Sequence, residues 1–97
     1  MRVAVVKKRP DEKFAVGFKY ATADLADNAT ITDVQVSISP SGEADDLAVV
    51  GSPAKSDYTV SAMIEKGRDG YEYYVTFTTT TSAGQVFQDK IFVKVRT

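Results

Sequence analysis

GYEYYVTFTTTTSAGQVFQDKIFVKVR, residues 70–96, holds two long runs of strand-forming sequence set close together. The runs Tyr71–Thr81 and Gln85–Arg96 are rich in Val, Ile, Thr, Tyr and Phe, residues that suit a pleated, half-buried surface. Ser82-Ala83-Gly84 separates them and reads as a turn made by Gly84. Side chains alternate across a strand. Tyr73, Val75 and Phe77 therefore share one face, as do Phe87, Ile91, Val93 and Val95, a series interrupted by Asp89. The stretch predicts a β-hairpin at the centre of the sheet structure.

Upstream of the hairpin, Glu65-Lys66-Gly67-Arg68-Asp69-Gly70 reads as a loop, with Gly67 and Gly70 serving turns. Tyr73 stands three residues after Gly70, at the start of a long strand. Sandwich folds often set a corner tyrosine there, bonded to the preceding loop, so Gly70, Tyr73 and Gly84 are read as structural. Tyr58, Val60, Ala62 and Ile64 alternate and predict a strand, as do Val34, Val36 and Ile38 within Thr30–Ser39. Pro40-Ser41-Gly42 closes the latter as a turn. In Glu43–Ser56, Leu47, Val49 and Val50 suggest a short edge strand that Gly51-Ser52-Pro53 breaks.

Nearer the start, Lys13–Tyr20 predicts a strand with Phe14, Val16, Phe18 and Tyr20 on one face, and Gly17 marks a bulge or a close backbone approach. Val3–Val6 is a short first strand, ended before Pro10. Ala21–Ala29 is the one helix candidate, a turn or two long, with Leu25 as its core anchor, Thr22 or Asp24 as its cap and Asn28 as a left-handed exit. About seven strands with turns between them, all within one domain over residues 1–97, predict an all-β fold, a small β-sandwich.

The bulk numbers bound function by exclusion. Hydrophobic residues make up 43% and charged residues 26%, the balance of a folded chain. The net charge of −1 provides no general field for nucleic acid or an anionic membrane. With neither Cys nor His, disulfides, thiolate chemistry, His-based triads and the usual transition-metal ligands are out. No run of side chains reaches the ~20 apolar residues of a membrane span, and the six residues before Lys7-Lys8 are too few for the apolar part of a signal peptide. The Met1 start is taken as the start of a whole chain.

Other site readings are weak. Asp24, Asp27 and Asn28 match no calcium loop and read as caps and solvated surface. Glu43, Asp45 and Asp46 read as an exposed acidic loop. No segment suggests a cleft holding the carboxylate pair of a glycosidase. Lys7-Lys8-Arg9 lacks the interleaved aromatics of a nucleic-acid site. No catalytic residue, metal or cofactor is expected. The charge is nonetheless uneven: +4 over residues 1–19, −6 over 20–57 and +1 over 58–97. A basic start and an acidic middle suit docking between copies or with a partner.

In order along the chain stand Lys8-Arg9-Pro10-Asp11-Glu12, then FAVGFKY, ADLA and DNATI, then Gly70-Tyr71-Glu72-Tyr73, TTSAGQ and KIFVKV. This series resembles small Ig-like virion proteins of tailed bacteriophages, of the fiber-tail adaptor type, over about 80 of the 97 residues. It departs from them at Lys19-Tyr20, where an Asp-Trp pair is common, at Lys66-Gly67, where Gly-Gly is, and in having no Trp. The resemblance implies a non-enzymatic, multi-copy adaptor joining tail fibers to the tail or a connector ring, assembled in the bacterial cytoplasm and residing in the virion tail. Its partners would be other virion proteins and copies of itself, not nucleic acid or membrane. The candidate contacts are Arg2, Lys7, Lys8 and Arg9 at the basic start, and Glu43, Asp45 and Asp46 in the acidic loop. A capsid decoration protein and a bacterial Ig-like adhesion or carbohydrate-binding module are the alternative readings. For the last, Tyr71 and Tyr74 are the plausible aromatic pair, Tyr74 pointing away from Tyr73.

Overall fold

A computed structural model of the chain describes residues 3–97. Seven strands form: β1 (Val3–Lys8), β2 (Phe14–Lys19), β3 (Ile31–Ser39), β4 (Ala48–Lys55), β5 (Thr59–Glu65), β6 (Glu72–Thr81) and β7 (Val86–Val95). They make two packed sheets, one in the order β1-β7-β6-β3 and the other β2-β5-β4. All neighbours are antiparallel except β1, which runs parallel to β7. With β2 to β7 lettered B to G, the orders C-F-G and B-E-D are those of immunoglobulin sandwiches.

The hairpin takes the expected central place. β6 and β7 pair from Glu72↔Lys94 to Thr80↔Val86, and Gly84 sits in the turn at φ 81°, where a residue without Cβ is unstrained. Tyr73, Val75, Phe77, Ile91, Val93 and Val95 are buried and face Val16, Tyr20, Leu47, Val60, Ala62 and Ile64 of the other layer and its loops. Phe18 meets Phe77 edge-on at 5.6 Å, and Tyr20 stacks on Phe87 at 5.5 Å, geometries that add to area burial. Asp89 interrupts the apolar series without reaching solvent. It is buried in the layer interface and accepts a hydrogen bond from the Tyr20 hydroxyl, which also contacts Thr79 Oγ1 at 3.2 Å.

Two sequence expectations are corrected, and a third, stated as two alternatives, comes down to one of them. The helix candidate is a single 3₁₀ turn at Thr22–Asp24. The chain is already extended at Leu25 (φ −101°, ψ 154°), because burying Leu25 against the sandwich outweighs the marginal stability of so short a helix. Asp24 Oδ2 accepts the Ala21 N–H at 3.0 Å, and Asn28 does take the left-handed conformation at φ 61°. Second, Gly51-Ser52-Pro53 does not end β4. The strand runs through it with a register shift between Val50 and Ala54, as an edge strand can, since Pro there forfeits no ladder bond. Third, Gly17 lies in unbroken register opposite Ser61. It is a close approach and not a bulge, for a Cβ there would collide with the Val60 carbonyl.

Candidate partner interface

The two charged segments singled out in the sequence arrive at one end of the sandwich. β1 delivers Lys8 and Arg9 there, and the loop before β4 delivers Glu43 through Asp46. The loop between β5 and β6 lies between them: Gly67 N–H donates to the Asp45 carbonyl at 3.1 Å, and Gly70 N–H to the Val95 carbonyl at 2.8 Å. Two shallow hollows open here. One is lined by Arg9, Pro10, Asp11 and Thr97. The other is lined by Pro10, Asp45, Lys66, Gly67, Arg68 and Asp69.

Within this end, Tyr73 plays the corner role expected of it. Its buried hydroxyl accepts the Arg68 N–H at 3.0 Å and donates to Asp46 Oδ1 at 2.9 Å. Gly70, at φ 83°, makes the turn that leads into it. Burial raises the Tyr73 phenol above its ordinary value, and the neighbouring Asp46 adds to the rise, because both disfavour a phenolate.

The expectation that Glu43, Asp45 and Asp46 form one exposed loop holds for Glu43 and Asp45 only. Asp46 is buried. Besides Tyr73, it accepts the Glu43 N–H at 3.2 Å and pairs with Arg68 Nε at 3.5 Å. Arg68 reaches on to Glu43 at 3.3 Å. Asp46 is thus an internal fastener, taken out of solvent because three donors converge on it. Lys8 is corrected in the same way. It is 2% exposed, and its Nζ donates to the Lys66 carbonyl at 2.7 Å and the Arg9 carbonyl at 2.8 Å. Burial pushes its pKa below the usual lysine value, against the pull of Glu12, Asp11 and Glu65. Arg9 and Lys7 stay exposed. Arg2 lies outside the described residues.

Sequence reasoning missed Arg68, whose carboxylate partners Glu43 and Asp46 lie more than 20 positions away. It also missed a second surface. On the outer face of the larger sheet, Val5, Phe92 and Tyr74 form one row across β1, β7 and β6 by register. Tyr74 and Phe92 rings lie 4.9 Å apart, with the ammonium groups of Lys90 and Lys94 over them at 5.5 and 5.7 Å. Val3 and Val5 are 63% and 61% exposed. The run VAVV carries no polar alternation, so its outward members could not be told from its inward ones.

What this arrangement offers is surface held by a rigid scaffold, which is the construction of a small structural β-sandwich. The family described as Podophage GP4 fiber-tail adaptor protein gp77 matches residues 8–94. The chain belongs to that family, whose description is of a structural adaptor in a phage tail. The match takes in all of β2 to β6 and most of β7, together with Lys8, Asp46, Arg68 and Tyr73, while Val3–Lys7 precede it. No curated protein matches the chain.

Proposed function

We propose that this chain is a non-enzymatic structural protein of a tailed phage or prophage-derived particle, one Ig-like domain over residues 1–97. It is present in several copies and joins tail fibers to the tail or its connector. It assembles in the bacterial cytoplasm and ends in the virion tail, meeting fiber, tail or connector proteins. The observation that carries this reading is the family match over residues 8–94, which spans nearly the whole sandwich. The fold suits an adaptor, since its conspicuous polar groups are spent on fastening loops and leave surface for docking. Arg9, Glu43 and Asp45 at the loop end, with Lys7 beside them on β1, are the contacts this reading assigns to partner proteins.

Electron microscopy of particles assembled without this chain tests it. The adaptor reading expects filled heads whose tails lack fibers, and restored fibers when the wild-type chain is supplied. Complete fibers on particles lacking the chain would overturn it. Fragile heads with fibers in place would instead mark a capsid decoration protein. The combined variant Arg9→Glu and Asp45→Lys, which spares the Glu43–Arg68 pair, should lower fiber occupancy without lowering the melting temperature.

A further inference from the structure

The free edge of β1 is the second surface that needs an occupant. Among the described residues, β1 has a strand neighbour on one side only. Backbone groups alternate in direction along a strand, and the Lys8 carbonyl accepts from Arg96 N–H, on the β7 side. Val6 and Ala4 therefore also point to β7. Val3, Val5 and Lys7 direct their N–H and C=O groups away from the sheet.

The other edges are blunted in ways that natural sheets use. β4 carries the irregularity between Val50 and Ala54, with Gly51 and Pro53 inside it. β3 lies against β4 across the layers. β2 has Gly17 at its centre and ends in Lys19. β1 has no Pro, no bulge and no charge before Lys7.

We infer that the β1 edge pairs antiparallel with the β1 edge of a second copy of this chain, Val5 opposite Val5. Side-chain period two allows only registers that pair outward residues with outward ones. In the register centred on Val5, Val3 faces Lys7 of the other copy, so each of Val3, Val5 and Lys7 finds backbone partners. Shifting by one pair of residues would set Val3 against Arg9, whose N–H is already held by Glu12 Oε1 at 2.7 Å. Charge also favours the Val5 register over that shift, which would bring the two Lys7 side chains within two positions of each other. The two Lys7 side chains stand four positions apart along the edge, roughly 13 Å at strand rise, beyond the Debye length of about 8–10 Å at ordinary salt. Each Lys7 can lay its stem over Val3 of the other copy.

The outcome is an eight-stranded sheet with both smaller sheets on one side. Across its outer face the uncharged rows join: Tyr74, Phe92 and Val5 meet Val5, Phe92 and Tyr74 of the second copy, with lysines on both flanks. A six-residue edge buries less than a standard interface. Pairing is accordingly weak in dilute solution and favoured where many copies are held together. This inference stands on the edge geometry and does not depend on the adaptor reading.

The test is sedimentation of the whole chain from about 10 µM to about 1 mM, the range of effective concentration in tethered assemblies, together with oxidative crosslinking. A monomer–dimer equilibrium is expected, not weakened by added salt, because the seam holds no opposite charges and its two Lys7 groups stand beyond the screening length. Val5→Cys should crosslink at least tenfold faster than Met63→Cys, which is exposed on the other sheet. Val5→Lys sets two ammonium groups face to face and should abolish the dimer while leaving the melting temperature of the dilute protein unchanged. A monomer throughout the range, with the two Cys variants crosslinking equally slowly, would overturn the inference. So would a dimer that Val5→Lys leaves intact, or one that salt dissolves, the mark of an acid–base contact elsewhere.

Discussion

The loop end of the sandwich and the β1 edge solve opposite problems with similar residues. At the loop end a lysine, an aspartate and a tyrosine are buried, and each has its partners: Lys8 on two carbonyls, Asp46 on Tyr73, Arg68 and Glu43, Tyr73 on Asp46 and Arg68. Among the described residues no buried side-chain polar atom lacks a hydrogen-bond partner. Along β1 the apolar side chains Val3 and Val5 are exposed and the backbone on that side is open. Polar residues here close the structure, and apolar ones leave it open to assembly. Charge in the sequence is therefore a poor guide to which side chains of this protein face solvent.

Breaking the closed end should cost most. Asp46→Ala strands the Tyr73 hydroxyl, the Glu43 N–H and Arg68 together. Chemical unfolding should find it destabilised by about 2–3 kcal/mol, the penalty for buried donors left without an acceptor. Tyr73→Phe loses one hydroxyl between two partners and should cost about 1–2 kcal/mol, or a melting shift of about 4–8 °C per kcal/mol for a domain of this size.

The tyrosine also predicts a pH signature. Its folded pKa lies above the ordinary 10.0, so its contribution is complete below pH 10.0 and is lost as pH rises through the folded value, where the unfolded chain ionises first. The stability gap between wild type and Tyr73→Phe should stay level below that pH and narrow above it.

Lys8→Met should have a smaller effect, within about 1 kcal/mol at neutral pH, because losing two hydrogen bonds is offset by no longer burying an ammonium. Its pH dependence runs the other way. The Lys8 pKa is lowered from 10.5, so between the folded value and 10.5 the unfolded chain holds more protons and wild-type stability rises with pH. The methionine variant should lack that rise in alkaline denaturation curves. Smallest is Val5→Lys, an exposed change expected to move monomer stability by no more than about 0.5 kcal/mol. A large destabilisation by Val5→Lys, or none by Asp46→Ala, would invert the comparison.

The two regions also differ in how legible they were. The closing hairpin could be read almost to the residue, because Tyr73, Val75 and Phe77 and their β7 partners alternate with period two and Gly84 marks the turn. The corner role of Tyr73 followed from its position after Gly70. Burial of Lys8 and Asp46 could not be read: the partners that bury them, Lys66 and Tyr73, lie 58 and 27 positions away, and a buried charge looks like an exposed one until its partners are known. Asp89 was visible as an interruption but not as the acceptor for Tyr20, 69 positions off. β4 was cut short because Gly51 and Pro53 are breakers in general and tolerated features on an edge. The outward side of β1 was hidden by VAVV itself, since four apolar residues in a row define no face.

Amide hydrogen exchange along β1, measured on dilute and on concentrated protein, is the sharpest probe of this contrast. Alternation is expected in the dilute sample, with Val6 and Lys8 protected by β7 and Val5 and Lys7 exchanging fast. In the concentrated sample Val5 and Lys7 should slow as the second copy takes up the edge. Uniform protection along β1 in dilute solution, or fast exchange at Val5 and Lys7 at every concentration, would refute the open edge and its proposed occupant.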